Sequence, residues 1–193
     1  SQTNGWDLIS SPLSNVDMAS FMSNNANLAR QTVGDPGNET VWYAVGTYTN
    51  TSEAYGTGDP GEGWNNYNNG LNVPSGTFPV AKGYQMASDT GSTVTFTGGM
   101  LTSDQTIDVT NNEEGADDDD FSDGNRFSLI GNPFPAYINI AGFITENSSN
   151  FHATTGGIYG WNGSGFDKFS LLNGGYIAPC LLYTSPSPRD RSL

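Results

Sequence analysis

Cysteine is almost missing from this chain: of 193 residues only Cys180 carries a thiol. That residue lies in a tail argued below to be foreign, so no disulfide framework is available to the rest. A cysteine-free chain is compatible with a bacterial extracellular protein stabilised without disulfides and would be less usual for a small eukaryotic secreted domain. Positive charge is equally scarce. Six Lys and Arg stand against twenty Asp and Glu, a net charge of −14. Such a surface repels phosphate backbones and anionic headgroups, which argues against nucleic acid and against an anionic membrane as partner. No apolar run approaches the roughly 18 residues a membrane-spanning helix needs, so no membrane insertion is expected. Histidine occurs once, as His152, in an expected surface loop. No Gly-x-Ser-x-Gly elbow, no HExxH helix and no phosphate-cradling glycine loop is present. No catalytic residue is assigned, and no enzyme is expected. A carboxylate pair for glycoside hydrolysis depends on separation in space, so a glycan-active fragment stays as a third alternative.

Glycine, asparagine, serine and threonine are abundant, and aromatics make up 12% of the chain. That aromatic content is too high for a disordered chain. The composition suits short strands joined by many turns. The expected fold is all-β: two related β-sandwich-like (jelly-roll-like) units with short helical turns, the second truncated.

An internal repeat carries this expectation. GWDLISSPLSNVDMASFM, from Gly5, matches RFSLIGNPFPAYINIAGFI, from Arg126. Trp6, Leu8, Ile9, Pro12 and Leu13 align with Phe127, Leu129, Ile130, Pro133 and Phe134. After a one-residue insertion, Val16, Asp17, Ala19, Phe21 and Met22 align with Ile138, Asn139, Ala141, Phe143 and Ile144. Self-similarity of this kind marks one structural unit used twice. In each copy an aromatic-x-Leu-Ile stretch reads as a short strand, and Ser-Pro or Asn-Pro then breaks it. Asp17 or Asn139 is placed to cap a helical turn, with Met18, Phe21 and Met22, or Ile140, Phe143 and Ile144, facing inward. An apolar strand follows, VWYAV from Val41 or GIYGW from Gly157. In the first copy a Gly/Asn-rich loop spans Thr49 to Gly76. FPVAKGYQM follows, and then TVTFTG from Thr93, whose alternation predicts a half-buried strand. YIAP (Tyr176–Pro179) falls where TFPV (Thr77–Val80) falls in the first copy. The organisation expected is therefore a first unit at 1–110, an acidic linker or loop at 111–125, a second unit at 126–179 and a tail at 180–193.

The tail has its own signature. Cys180 to Asp190, CLLYTSPSPRD, back-translates without a mismatch into the transposase-type adapter of short-read sequencing libraries. On this reading residues 180–193 are non-native, and the second unit is cut after Pro179, before a Gly-aromatic pair and at least one strand. The tail is expected to hang free, or to be drawn into the vacant strand position.

FSLIGNPFPAYIN (Phe127–Asn139), followed by Ile-Tyr-x-Trp-Asn and Ile-Ala-Pro, resembles the repeat modules of large secreted Bacteroidota surface proteins. Such modules lie near a type IX secretion sorting domain. The first copy departs from the pattern, with Ser10-Ser11 for Gly-Asn and Ser14 for the second proline. The resemblance implies export to the cell surface or medium and brings no catalytic residue with it. The function it favours is a non-catalytic extracellular module, a spacer, adhesion or display unit of a larger exported protein.

Two candidate sites remain. Seven carboxylates crowd between Glu113 and Asp123. Asp117, Asp118, Asp119, Asp120 and Asp123 are the candidate oxygen ligands for calcium, which would relieve their mutual repulsion. Phe121 sits where an EF-type loop wants a ligand, so that motif is not met, and a solvated acidic linker explains the same run. Trp64, Asn65 and Tyr67, in the Gly/Asn-rich loop, form the candidate glycan-binding set, with aromatic faces to stack on sugar rings and amides to bond hydroxyls. Local packing over the sandwich end is the alternative for these aromatics. Trp42, Tyr159 and Trp161 lie in apolar strand patterns and are expected in the core. The partner so implied is an extracellular glycan or another surface protein.

Overall fold

The computed structural model describes residues 5–49, 63–89, 93–109, 127–151, 157–161 and 165–179, together with the backbone of 182–186. Among the described residues strands dominate, and the α-helices are two and short. The first sheet holds β1 (Asp7–Ser10), β2 (Arg30–Val33), β3 (Thr40–Tyr48), β4 (Trp64–Asn68) and β5 (Gly83–Met86). β5 lies between β1 and β3, while β2 pairs with the start of β3 and β4 runs along it as well, all antiparallel. Side chains alternate across such strands. The register Ile9↔Tyr84↔Thr47 and Asp7↔Met86↔Val45 therefore sends Tyr84, Met86 and Val45 to one face. There they meet Val16, Phe78, Leu28 and the buried face of helix α1 (Met18–Asn24), namely Met18, Phe21 and Met22.

Asp17 caps α1 as its sequence position suggests, its carboxylate accepting from the Ser20 N–H at 2.8 Å. Hydrogen bonds from Ser20, first from its hydroxyl and then from its N–H, hold the Asp17 carboxyl, wholly open to water, below the ordinary carboxylate range. A lowered folded-state pKa stabilises the fold above the unfolded pKa, near 3.8, and that stabilisation is lost as pH falls through the folded value. Asn139 performs the same cap in the second copy, accepting from the Gly142 N–H at 2.8 Å, and does not titrate. Asp17→Asn is therefore expected to keep the melting temperature near neutral pH and to flatten its decline in acid. A melting curve repeated from pH 6 to pH 2 reads this directly; an unchanged acid slope would contradict it.

The expected TVTFTG strand joins no ladder; only Gly99 makes a bridge, to Ser14. Its side chains do alternate, with Val94 and Phe96 half-buried between exposed threonines. An asparagine side chain takes the place of a neighbouring strand. Asn25 Nδ2 donates to the Thr95 carbonyl at 3.0 Å and Asn25 Oδ1 accepts from the Thr95 N–H at 2.7 Å. Asn27 Nδ2 donates to the Thr93 carbonyl. Phe96 thereby stacks on Phe21, ring centroids 4.7 Å apart. At the end of this segment Gly98 passes so close to the Ser14 carbonyl that a β-carbon would collide with it.

The second sheet has the order β6–β11–β8–β9, from β6 (Phe127–Gly131), β8 (Ile158–Trp161), β9 (Phe166–Phe169) and β11 (Leu182–Pro186). A separate pair joins β7 (Ile138–Asn139) to β10 (Tyr176–Ile177), and α2 (Ile140–Glu146) follows β7 directly. The pairings coincide with those of the first copy at the aligned residues. Tyr176 faces Asn139 as Thr77 faces Asp17. The Ile140 N–H donates to Gly175 O at 3.0 Å, as Met18 N–H does to Gly76 O at 2.9 Å. Trp161 faces Phe166 as Tyr48 faces Trp64, although the match of VWYAV with GIYGW sets Trp161 against Val45, three positions earlier. Tyr183 faces Ile130 as Tyr84 faces Ile9. Residues 182–186 of the tail thus do not hang free: their backbone lies between β6 and β8, where β5 lies between β1 and β3.

The two sheets meet through corresponding residues. Leu8 and Leu129, which align, are buried together with Tyr48, Trp64 and Trp161 packed around them. The Gly131 N–H donates to Ala81 O at 2.8 Å and Ser10 Oγ donates to Asn132 O at 3.2 Å. Ala81 adopts a left-handed conformation, φ 60°, at this contact.

Candidate functional site

Trp64, Asn65 and Tyr67 lie in strand β4, not in the expected loop. Alternation along the strand separates them, since Trp64 points to the opposite face from Asn65 and Tyr67. Trp64 is half-buried between the sheets, its ring 5.1 Å from that of Tyr48. Tyr67 packs against the first core, and burial pushes its phenol upward, opposed in part by the Tyr84 hydroxyl. Tyr84, fully buried, is driven far above the phenol range by burial and by Tyr67. Asn65 is exposed.

The asparagines of this region tie the backbone down. Asn72 Nδ2 donates to Asn65 Oδ1 at 3.0 Å and to Asn66 O at 2.8 Å. Gln85 Nε2 donates to Asn66 Oδ1 at 2.9 Å, across a strand whose Gly46 leaves room for that amide. The buried Asn68 Oδ1 accepts from the Gly70 and Asn72 N–H groups at 2.8 and 3.2 Å. A run that composition marks as loop becomes a strand because its own amides close the turn after it.

Trp42, expected in the core, is 39% exposed. It faces Gln31 of β2, a strand exposed along its whole length, just before the bulge between Trp42 and Gly46. Among the described residues no covering layer reaches it there, which a local hydrophobic pattern does not reveal. Trp161 is half-buried, and its buried indole N–H meets no acceptor among the described residues. Tyr159 is half-buried with the Lys168 ammonium 5.6 Å from its ring centre.

The proposed calcium ligands Asp117, Asp118, Asp119, Asp120 and Asp123 lie outside the described residues, as does His152. Among the described residues no group of three or more His, Cys, Asp or Glu is placed to hold a metal ion.

A cavity of about 570 Å³ is lined by Ala81 and segment 104–109 together with residues of β6, β7 and α2. Its floor is apolar, formed by Ile138, Phe143, Phe151 and Ile177, with the Asn147 amide at one side. In segment 104–109 Ile107 and Val109 are half-buried, and Asp104, like Glu146, is exposed. None of these residues was a site candidate in the sequence, although Ile138, Phe143 and Ile177 belong to the repeated segments. The signal was nonetheless present: Asn147 follows Phe143 by four residues, as Asn25 follows Phe21.

No protein-family profile, curated protein or solved structure matches the chain.

Proposed function

We propose that the chain is a non-catalytic extracellular module, a spacer, adhesion or surface-display unit of a larger exported bacterial protein, made of two related β-sandwich-like units. The observation that carries this reading is the agreement of backbone pairing at aligned residues. It includes the Asp17 and Asn139 caps and the Thr77 and Tyr176 bridges. A unit used twice and joined through its own corresponding residues suits a repeat array, in which each unit buries its neighbour's apolar face. The Bacteroidota-like FSLIGNPFPAYIN segment supports export, and the acidic surface supports solubility outside the cell. On this reading the backbone of Leu182–Pro186 occupies the slot of a native strand and carries no function. The test is location. Intact source cells are treated with a non-permeant protease, and an antibody against residues 5–109 follows the protein. Loss of the signal from intact cells is expected; full protection until lysis would sink the proposal.

A second reading, a carbohydrate-binding module, draws on the exposed Trp42 ring and the Asn65–Asn72 amide pair. Since Trp64 and Tyr67 are half-buried, Trp42 is the better stacking surface on the same strands. Binding on a glycan array that falls at least about tenfold in Trp42→Ala while the melting point holds is the expected result for that reading. A blank array removes it. Calcium at Asp117–Asp120 and Asp123 remains part of this reading, and a melting point indifferent to added calcium would remove it in turn.

A further inference from the structure

We infer that Asn72 and Asn173 are edge plugs: their amides occupy outward backbone groups of the outer strands β4 and β9 and keep a second copy of this chain from adding to those edges. Among the described residues β4 pairs only with β3, and β9 only with β8. Each therefore has one side whose N–H and C=O groups point away from its sheet, a template for another strand. β4 is the greater hazard. It holds two aromatic residues, no charge and no proline, whereas β9 carries Asp167 and Lys168. Neutral stretches of that kind pair readily with copies of themselves.

The outward groups are already taken. On β9, Asn173 Nδ2 donates to Lys168 O at 2.9 Å, and Asn173 Oδ1 accepts from the Ser170 N–H at 2.6 Å. The Ser170 carbonyl beside them accepts from the Gly174 N–H at 2.9 Å. One primary amide thus makes two bonds that a neighbouring strand would make, much as Asn25 grips Thr95. On β4, Asn72 Nδ2 donates to Asn66 O at 2.8 Å, and the Asn72 carbonyl accepts from the Asn68 N–H at 2.9 Å. Asn66 and Lys168 hold the same place, each two residues beyond the aromatic that faces Tyr48 or Trp161.

The turns that present the plugs also correspond. Each plug follows a leucine, Leu71 or Leu172, that is wholly exposed, so the leucine does not anchor the turn. Polar bonds do. Asn68 Oδ1 accepts from the Gly70 and Asn72 N–H groups at 2.8 and 3.2 Å. Ser170 Oγ, at the corresponding position, accepts from the Leu172 N–H at 3.3 Å and donates to Asn173 Oδ1 at 2.8 Å. Each plug stands on its own bonds and does not depend on where the module is located.

Asn72→Ala and Asn173→Ala, made singly and together in the full chain, test this by sedimentation over a concentration series beside wild type. The double variant should rise with concentration to about twice the wild-type mass or more, and Asn72→Ala should exceed Asn173→Ala because β4 lacks charge. Amide exchange at Ser170 should quicken in dilute Asn173→Ala and slow again as copies associate. If the double variant does not fold, by circular dichroism, the single variants carry the comparison. Asn65→Lys in the Asn72→Ala background separates edge pairing from unfolding. Asn65 is exposed on β4, so a lysine there should return the mass towards wild type without raising the melting temperature. Folded variants with the wild-type mass at every concentration overturn the inference. Association that Asn65→Lys leaves untouched overturns it too, since such association would come from unfolded chains.

Discussion

Phe78→Ala is expected to destabilise the protein by about 3–5 kcal/mol, the range for emptying a phenylalanine site in a packed core. Phe78 is 1% exposed and is the hub of the first core. Its ring meets Phe21 edge-on at 5.1 Å and Tyr84 edge-on at 4.9 Å, with Phe96 6.1 Å away. Collapse into the vacated space is hindered because the backbone on both sides is held: the Phe78 N–H donates to Val16 O at 2.9 Å, and Thr77 bridges Asp17. A cost near the top of the range follows, since the penalty grows with the residual cavity. Ile177, the corresponding residue, gives the contrast. It borders an existing cavity, so Ile177→Ala enlarges an opening instead of creating one, and its cost should sit near about 2 kcal/mol. Denaturant midpoints for the two variants check both. Equal costs would mean that the second core is as tightly filled as the first.

The contrast also marks what could be read from the sequence and what could not. The helix caps and the inward helix faces were legible because their signals are local. Asp17 and Asn139 cap as their positions suggest, and Met18, Phe21, Met22, Ile140 and Ile144 are buried on one helix face each. The mainly-β character followed from turn-rich composition. What failed was whatever depended on distant partners. The Thr93–Thr97 stretch has the alternation of a strand, yet its backbone bonds go to the Asn25 and Asn27 side chains, nearly seventy positions away. Trp64 and Tyr67 looked exposed because their neighbours are Gly and Asn; the amide ties from Asn72 and Gln85 make that stretch a strand and turn Trp64 under the second sheet. Trp42 looked buried because its neighbours are apolar, but burial requires a covering layer, and none of the described residues reaches that end of β3. The cavity escaped for the same reason, being visible only once Asn147 and Asn25 are seen to hold corresponding positions.

Asn132→Ala should cost about 2–4 kcal/mol. Asn132 is 1% exposed, and its amide closes the bend after β6. Nδ2 donates to Ala136 O at 2.6 Å and to Ile177 O at 3.2 Å, while Oδ1 accepts from the Phe134 N–H at 2.9 Å. Alanine would leave three backbone groups short of a partner, each worth about 1–3 kcal/mol when water cannot reach it. The neighbouring cavity admits water to part of the site, which keeps the total below the sum. The first unit uses Ser11 at this position, its hydroxyl donating to Leu13 O at 2.7 Å and accepting from the Leu13 N–H at 3.3 Å. Asn132→Ser should therefore recover the bond near Phe134 but not the reach to Ile177, and fall between wild type and alanine. Because the Asn132 carbonyl also accepts from Ser10 Oγ, the loss should couple to Ser10→Ala. A double-mutant cycle by thermal melting reads that coupling. Strict additivity would mean that the bend after β6 keeps its shape without the amide, and that the contact between the two units does not depend on it.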